Sequence, residues 1–167
     1  MKIYDTIIDL FEYRDNELYW KKQPAYSSVD ISKPAGNIDK GYRRIKIKGK
    51  HYKAHRLIYQ MFNEKWDITD TSQDYSIDHA DNDKLNNSID NLRVATNSQN
   101  LANTGKYKNN TSGTTGVNWD IATGKWKVRV RVNKKTHSGG YFVNKEDAIA
   151  KATKMRDELH GEFANHG

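Results

Sequence analysis

Cysteine is absent from the 167 residues, which excludes disulfide staples, Cys-ligated zinc and thiol chemistry. Proline is scarce, with 2 in the chain, and Pro34 joins Gly36 and Gly41 in marking turns over residues 34–41. No apolar run approaches a membrane span, and Met1-Lys2 is not followed by a signal-peptide core. These absences predict a soluble protein of the cytoplasm with no membrane partner. No internal repeat is visible. Any metal has to be held by oxygen and nitrogen donors, which points to Mg²⁺ or Mn²⁺ rather than structural Zn²⁺.

The chain has a surplus of positive charge, +7 overall, and the surplus is lopsided. Residues 1–104 hold 16 Lys/Arg against 15 Asp/Glu, whereas residues 105–167 hold 12 against 6. The C-terminal third is therefore the electrostatic handle for a polyanion such as a phosphate backbone. Along the chain, residues 3–12 read as a short amphipathic helix and Glu17–Trp20 as a brief strand. In GYRRIKIK, Arg43, Ile45 and Ile47 share one face, and Tyr42, Arg44, Lys46 and Lys48 share the other. Gly49-Lys50 turns this strand into HYKA, giving a hairpin with one basic face, and a helix follows over residues 54–62. Residues 105–113 have linker composition. Strands are expected at 114–119, 125–132 and 136–143, then a helix over 145–160 with Ala148, Ala152, Met155 and Leu159 on one face.

The densest chemical information lies in IDHADNDKLNNSIDNLRVATNSQN, residues 77–100. Asp78-His79 end an apolar strand, an Asn/Asp-rich loop follows, and a second strand leads to a helix starting near Thr96. Imidazole is the side chain whose ordinary pKa suits a base at neutrality. A carboxylate beside it can hold a hard cation that neutralises charge at phosphorus. Neighbours on a strand face opposite ways, so the two share a site only where the strand ends, and Ala80-Asp81-Asn82 supply that signal. Asp81 and Asp83 read as solvated loop acids, and His51, His137, His160 and His166 show no ligand spacing.

With Asn91 and Asn100 in register on strand, loop, strand and helix, and His55-Arg56-Leu57 upstream, this segment resembles the HNH endonucleases of the ββα-metal fold, in their phage and intron-homing branch. The likeness covers residues 15–104. It implies His79 as general base, Asp78 and Asn100 as metal ligands, and Asn91 as the residue that braces the loop and fixes the imidazole. Arg56 is a weaker candidate for a phosphate contact. The last letter of the motif is Asn rather than His, and an amide oxygen binds metal weakly. The implied cofactor is thus a hydrated divalent cation, Mg²⁺ or Mn²⁺, held largely by substrate phosphate.

In residues 125–132, Trp126, Val128 and Val130 face one way while Lys125, Lys127, Arg129 and Arg131 face the other. Gly116-Val117, Trp119, Gly124-Lys125-Trp126, Gly140-Tyr141-Phe142, Ala148 and the close HGEFAN together resemble the plant ethylene-response-factor (APETALA-type) DNA-binding domain, over residues 113–165. That family lays a three-stranded sheet in the major groove, though Asn118 and Asp120 stand where basic residues are usual. Trp119 and Trp126 are expected in the core. The N-terminal hairpin offers a second DNA surface through Arg44, Lys46 and Lys48.

The expected whole is an α+β protein. It has a nuclease region at 1–104, a linker at 105–113, and a three-stranded antiparallel sheet packed on one helix at 114–167. The expected activity is metal-dependent cleavage of double-stranded DNA to 5′-phosphate and 3′-hydroxyl ends, with no small-molecule substrate. One site per chain favours nicking and leaves monomer and dimer both open. The rival reading is a DNA-binding regulator with a decayed nuclease core.

Overall fold

The computed structural model describes residues 3–25, 27–70, 74–105 and 110–166. The expected loop at 63–75 and linker at 105–113 lie partly outside these residues. Among the described residues the fold is mixed α and β, with small sheets and four helices, in two compact units, Met1–Val94 and Ala95–Gly167. Among the described residues no helix is long and apolar enough to cross a membrane.

The first unit opens with helix α1 (Ile3–Leu10), then a hairpin of β1 (Phe11–Arg14) and β2 (Glu17–Trp20). Asp15 and Asn16 both take positive φ, 50° and 60°, the conformation a tight two-residue hairpin demands. This turn ends the expected helix two residues early and recruits Phe11 and Glu12 into a strand. A three-stranded sheet follows, from β3 (Asn37–Asp39), β4 (Tyr42–Ile47) and β5 (Lys50–Lys53). Lys40-Gly41 and Lys48-Gly49 make its two turns with positive φ. Gly36 is obligatory, because a Cβ there would lie 2.1 Å from the Arg44 carbonyl oxygen.

The alternation read in β4 is present: Ile45 and Ile47 are buried while Arg44 and Lys46 are exposed. Helix α2 (Ala54–Phe62) buries Ala54, His55, Leu57, Ile58 and Gln60, and packs with Ile7, Phe11 and Leu18 into one apolar core. Strand β6 (Tyr75–His79) and strand β7 (Leu92–Thr96) form a two-stranded sheet. The connection between them ends in a short 3-10 turn at Ile89–Asn91.

The second unit begins at the end of β7 and includes helix α3 (Asn97–Asn103). The helix expected to start at Thr96 begins one residue later, because Thr96 caps it reciprocally with Gln99. Strands β8 (Val117–Asp120), β9 (Lys125–Val132) and β10 (Lys135–Phe142) form an antiparallel sheet in the order β10-β9-β8. Helix α4 (Lys145–His160) covers it, burying Ala148, Ala152 and Met155 against Val117, Val128 and Val130. At the bulge between Ser138 and Gly140, Gly139 lets sheet and helix close, since a Cβ there would meet Val128 and Met155 within 2.7 Å.

The HGEFAN close has a packing role. Phe163 joins Ala95 and Ala102 in a small core, and Asn165 donates to the Asn103 carbonyl at 3.0 Å. The Arg156 guanidinium donates to the Ala102 carbonyl at 2.7 Å. Residues 95–104, expected with the nuclease region, are therefore fastened to the C-terminal helix.

Candidate active site

Strand β6 ends on His79, whose side chain is 5% exposed. Burial along the strand alternates, with Ile77 and His79 inward and Ser76 and Asp78 half-buried. The turn after it is bound by the Ala80 amide donating to the Asn91 carbonyl at 2.9 Å. Asn82 then takes a left-handed φ of 65°. The Asn/Asp richness of the loop now has a structural meaning. The Asp81 carboxylate accepts from the Asp83 amide, the Asn91 Nδ2 and the Asn86 Nδ2, at 2.9, 2.9 and 2.7 Å. Burial alone would raise the Asp81 pKa, but these hydrogen bonds hold it below the usual carboxylate range.

Asn91, expected to brace the loop, hydrogen-bonds within it. Its Oδ1 accepts from the Asp81 amide at 3.1 Å and its Nδ2 also donates to the Asn86 carbonyl at 2.9 Å. The amide that meets the imidazole is a different one, Asn87, 1% exposed, whose Oδ1 lies 3.2 Å from His79 Nε2. Asn87 Nδ2 donates in turn to Glu17 Oε2 at 3.2 Å, and Arg43 Nε holds the other oxygen of that carboxylate at 2.9 Å. A carboxylate only accepts, so Glu17 fixes which end of the Asn87 amide faces the histidine. The amide oxygen can only accept as well, so Nε2 carries the proton and the neutral ring keeps its lone pair on Nδ1. That is the state a general base needs.

Two rings flank His79. His55, 3% exposed, packs edge-on at 4.6 Å between centroids, and Tyr42 lies 6.2 Å away. Burial pushes the His55 pKa down to about 2, with the charges of His79, Lys53 and Arg56 adding to the effect. Burial also lowers the His79 pKa, against the Asn87 hydrogen bond and the charges of Asp81, Asp78 and Asp83. Both imidazoles are therefore neutral at pH 7.

Asp78 offers a hard carboxylate, and its Oδ2 accepts from Arg93 Nη2 and Nε at 3.2 and 3.3 Å. Among the described residues no three His, Asp or Glu side chains gather as a metal-holding group. This donor chemistry does not fit tetrahedral Zn²⁺, which favours Cys and His. It fits a hydrated Mg²⁺ or Mn²⁺, which keeps several waters and binds through one or two protein oxygens plus phosphate. Asn100, the other expected ligand, lies half-buried on α3 in the second unit.

Of the expected DNA contacts, Arg44, Lys46 and Lys48 are exposed, and Arg44 forms an ion pair with Asp39. Arg56 is half-buried, with Nη2 donating to the Ile68 carbonyl at 3.2 Å. In the second unit, Lys125, Arg129 and Arg131 are exposed in strict alternation with Val128 and Val130. Lys127 is half-buried, 3.7 Å from Asp120 and 5.0 Å from the Tyr141 ring centre. Trp126 packs on the core as expected. Trp119, expected there too, is 46% exposed, because it sits on edge strand β8 and contacts Trp126 edge-on at 5.1 Å.

Asn87 and Glu17 carried no distinguishing signal in the sequence. Asn87 is one of several amides in its loop, and Glu17 is 70 residues from it.

His79, buried and bonded to Asn87, ends the first of two strands that precede helix α3 in chain order. Residues 52–102 match the HNH endonuclease family model. The chain thus carries an HNH endonuclease family domain over these residues. Protein 3.8 of Escherichia phage T7 is 34% identical over 117 residues, which is 68% of this chain and 91% of that protein. An uncharacterized HNH endonuclease of Acanthamoeba polyphaga mimivirus is 36% identical over 110 residues, 66% of this chain and 54% of the relative. The chain thus spans about half of the mimivirus protein. No solved structure matches it.

Proposed function

We propose that the chain is a divalent-metal-dependent endonuclease acting on double-stranded DNA, with His79 as its general base. The observation that carries this reading is the hydrogen-bonded series Glu17–Asn87–His79, which leaves Nδ1 as the basic nitrogen. A water attacks phosphorus in line with the 3′ oxygen and gives its proton to His79 Nδ1. The P–O3′ bond breaks, and the departing oxygen takes up a proton to become a 3′ hydroxyl, leaving a 5′ phosphate. Asp78 would hold the cation, and the resemblance to the HNH endonucleases implies Asn100 as a second protein ligand. When bound, the cation supplies charge neutralisation at the phosphate and at the leaving oxygen. Arg93 orients Asp78 through its two nitrogens, and Asn91 keeps the loop beneath His79 in shape.

The three-stranded sheet of β8–β10, with Lys125, Lys127, Arg129 and Arg131 on its outer face, would lie along the duplex as in the ethylene-response-factor domain. Arg44, Lys46, Lys48 and Arg56 would add contacts from the first unit. Functionally the division at the 105–113 linker is retained, with nuclease residues before it and duplex-holding residues after it. One base per chain supports nicking, and the phage relative supports a mobile-element or phage setting, with the host cytoplasm as the site of action.

Supercoiled plasmid incubated with Mg²⁺, Mn²⁺ or EDTA tests the reading. Nicked circles should form with either cation and not with EDTA, and their 5′ ends should be labelled by polynucleotide kinase only after phosphatase treatment. Tight binding with no cleavage under any cation would instead favour the regulator with a decayed core.

A further inference from the structure

The nuclease reading leaves unexplained a convergence of cations around Tyr42, next to the two imidazoles. Register places Arg44 opposite Lys53 across β4 and β5. Lys53 Nζ lies 3.8 Å from the centre of the Tyr42 ring, and Lys84 Nζ, from the loop after β6, lies 4.9 Å from the same ring. Arg56 follows on the first turn of α2. Burial depresses the Lys53 pKa, and the charges of Arg56, Lys84 and Arg44 depress it further.

Arg44, Lys53 and Lys84 are exposed and Arg56 is half-buried, and like charges held this close repel one another unless something of opposite sign relieves them. Among the described residues, no carboxylate forms an ion pair with Lys53, Lys84 or Arg56; the pairs are made elsewhere, including Arg44 with Asp39. Arg56 Nε is buried with no hydrogen-bond partner among those residues. Arg44, Lys53 and Arg56 border a cleft of about 450 Å³ with Tyr42 and His51, and Asp39, already paired, is its acid; Lys84 reaches the same place only through the Tyr42 ring. Tyr42 ties this cleft to the base, since its ring lies 5.4 Å from His55 and 6.2 Å from His79.

We infer that this cleft seats a second backbone phosphate of the bound DNA strand, adjacent to the one that is cut, with Lys53 and Lys84 clasping it across the Tyr42 ring. Resting on the nucleic-acid reading of the site above, this assigns Lys53, Lys84 and Tyr42 to substrate positioning. Two ammoniums held over one rigid ring fix the height of one phosphate, and the Arg56 side chain adds positive charge at the cleft wall. A strand pinned one linkage from His79 presents its scissile phosphate in a set register.

The test is binding of the full chain to a labelled duplex in EDTA, by fluorescence anisotropy over a range of KCl concentrations. Removing the grip on one phosphate should lower the slope of log K against log salt by about 0.9. Because both lysines grip one phosphate, the double variant Lys53→Gln, Lys84→Gln should lower it by about 1, equally on unrelated sequences. Lys154→Gln, on exposed α4 beside Glu158, should leave it unchanged. Lys53→Arg with Lys84→Arg should keep the wild-type slope, which separates charge from misfolding. A single neutral methylphosphonate walked along the strand should weaken wild type at one linkage beside the cut and leave the double Gln variant indifferent there.

An unchanged slope in the double Gln variant overturns the inference, and a fall of about 2 overturns the shared clasp. Displacement of the duplex by thymidine monophosphate as readily as by unlabelled duplex would assign the cleft to a free nucleotide and overturn it too. Failure of the nuclease reading looks different: binding with the expected slopes but no cleavage with metal. Cleavage with a slope indifferent to both lysines sinks only the clasp.

Discussion

The two units distribute polarity in opposite ways. In Met1–Val94 the buried polar side chains face one another: His55 on His79, His79 on Asn87, Asn87 on Glu17. In Ala95–Gly167 the core beneath the sheet is aliphatic, with Val117, Val128, Val130 and Ala152, and the buried Arg156 is tied to a backbone carbonyl. Charge runs the other way. Residues 95–104 contain no charged side chain, so the balanced first unit and the strongly basic second unit keep the totals of the sequence halves. Buried, mutually oriented polar groups are expensive to maintain and reward one geometry, as chemistry requires. Exposed cations on a strand are cheap and tolerant, as grip on a uniform backbone requires. On the proposed reading, the comparison teaches that the first unit carries the base and the second is suited to hold.

Breaking that division at its strongest point means removing the base. His79→Ala should lower the rate of cleavage on saturating DNA by roughly a hundred- to ten-thousand-fold, with duplex affinity in EDTA unchanged. A variant that cuts at the wild-type rate would move the base elsewhere. The complementary change neutralises the grip. Replacing Lys125, Arg129 and Arg131 together with Gln should lower the salt slope of binding by roughly 2 to 3 while leaving the turnover of saturated complex alone. Lys127→Gln should matter least of the four, because Asp120 and Tyr141 already occupy its ammonium. An equal fall in slope at all four positions would erase that ranking.

Most of the holding unit was legible because alternation survives in a strand with one face on a helix. Val128 and Val130 buried against exposed Arg129 and Arg131 is a period the sequence displays directly. The same holds for Ile45 and Ile47 against Arg44 and Lys46. The candidate site in the reacting unit was legible only at its motif letters. His79, Asp78 and Asn91 stand out by type and spacing. Nothing local distinguishes Asn87 from Asn86, and the partner that orients Asn87 comes from a β-hairpin whose first strand reads as helix until the positive φ at Asp15 and Asn16 is seen. Tertiary contact, not propensity, decides such residues.

A sharper comparison is between the two imidazoles of the first unit. With its pKa near 2, His55 stays neutral in the folded protein through a range where the unfolded chain, at 6.5, takes up a proton. Its folded pKa is depressed, so its contribution to stability is complete above pH 6.5 and is lost as pH falls from there toward 2. Unfolding by urea at pH 7.5 and pH 5 should differ by about 2 kcal/mol from this residue. His55→Phe should remove most of that difference and leave the smaller contribution of His79, which has the same sign. A His55→Phe protein with the wild-type pH dependence would show that another group governs acid unfolding.

The smallest effect tests the finest claim, that a carboxylate of the β1–β2 hairpin sets the protonation pattern of a ring it does not touch. Glu17→Gln keeps size and hydrogen bonding but lets the Asn87 amide turn either end toward His79, because Gln can both donate and accept. In the fraction of molecules where Nδ2 faces the imidazole, Nε2 must accept, the proton moves to Nδ1, and the base has its lone pair on the wrong nitrogen. A bond to a charged group worth about 1.5 kcal/mol corresponds to about tenfold in rate. The expected result is thus a roughly tenfold fall in turnover with unchanged KM and unchanged duplex binding, accompanied by nitrogen-15 signals of both His79 tautomers where wild type shows one. Loss of the Arg43 pair alone would lower the melting temperature and leave those signals as in wild type. If turnover falls while His79 stays in a single tautomer with its proton on Nε2, Glu17 is a structural partner of Arg43 and the orienting role belongs to Asn87 alone.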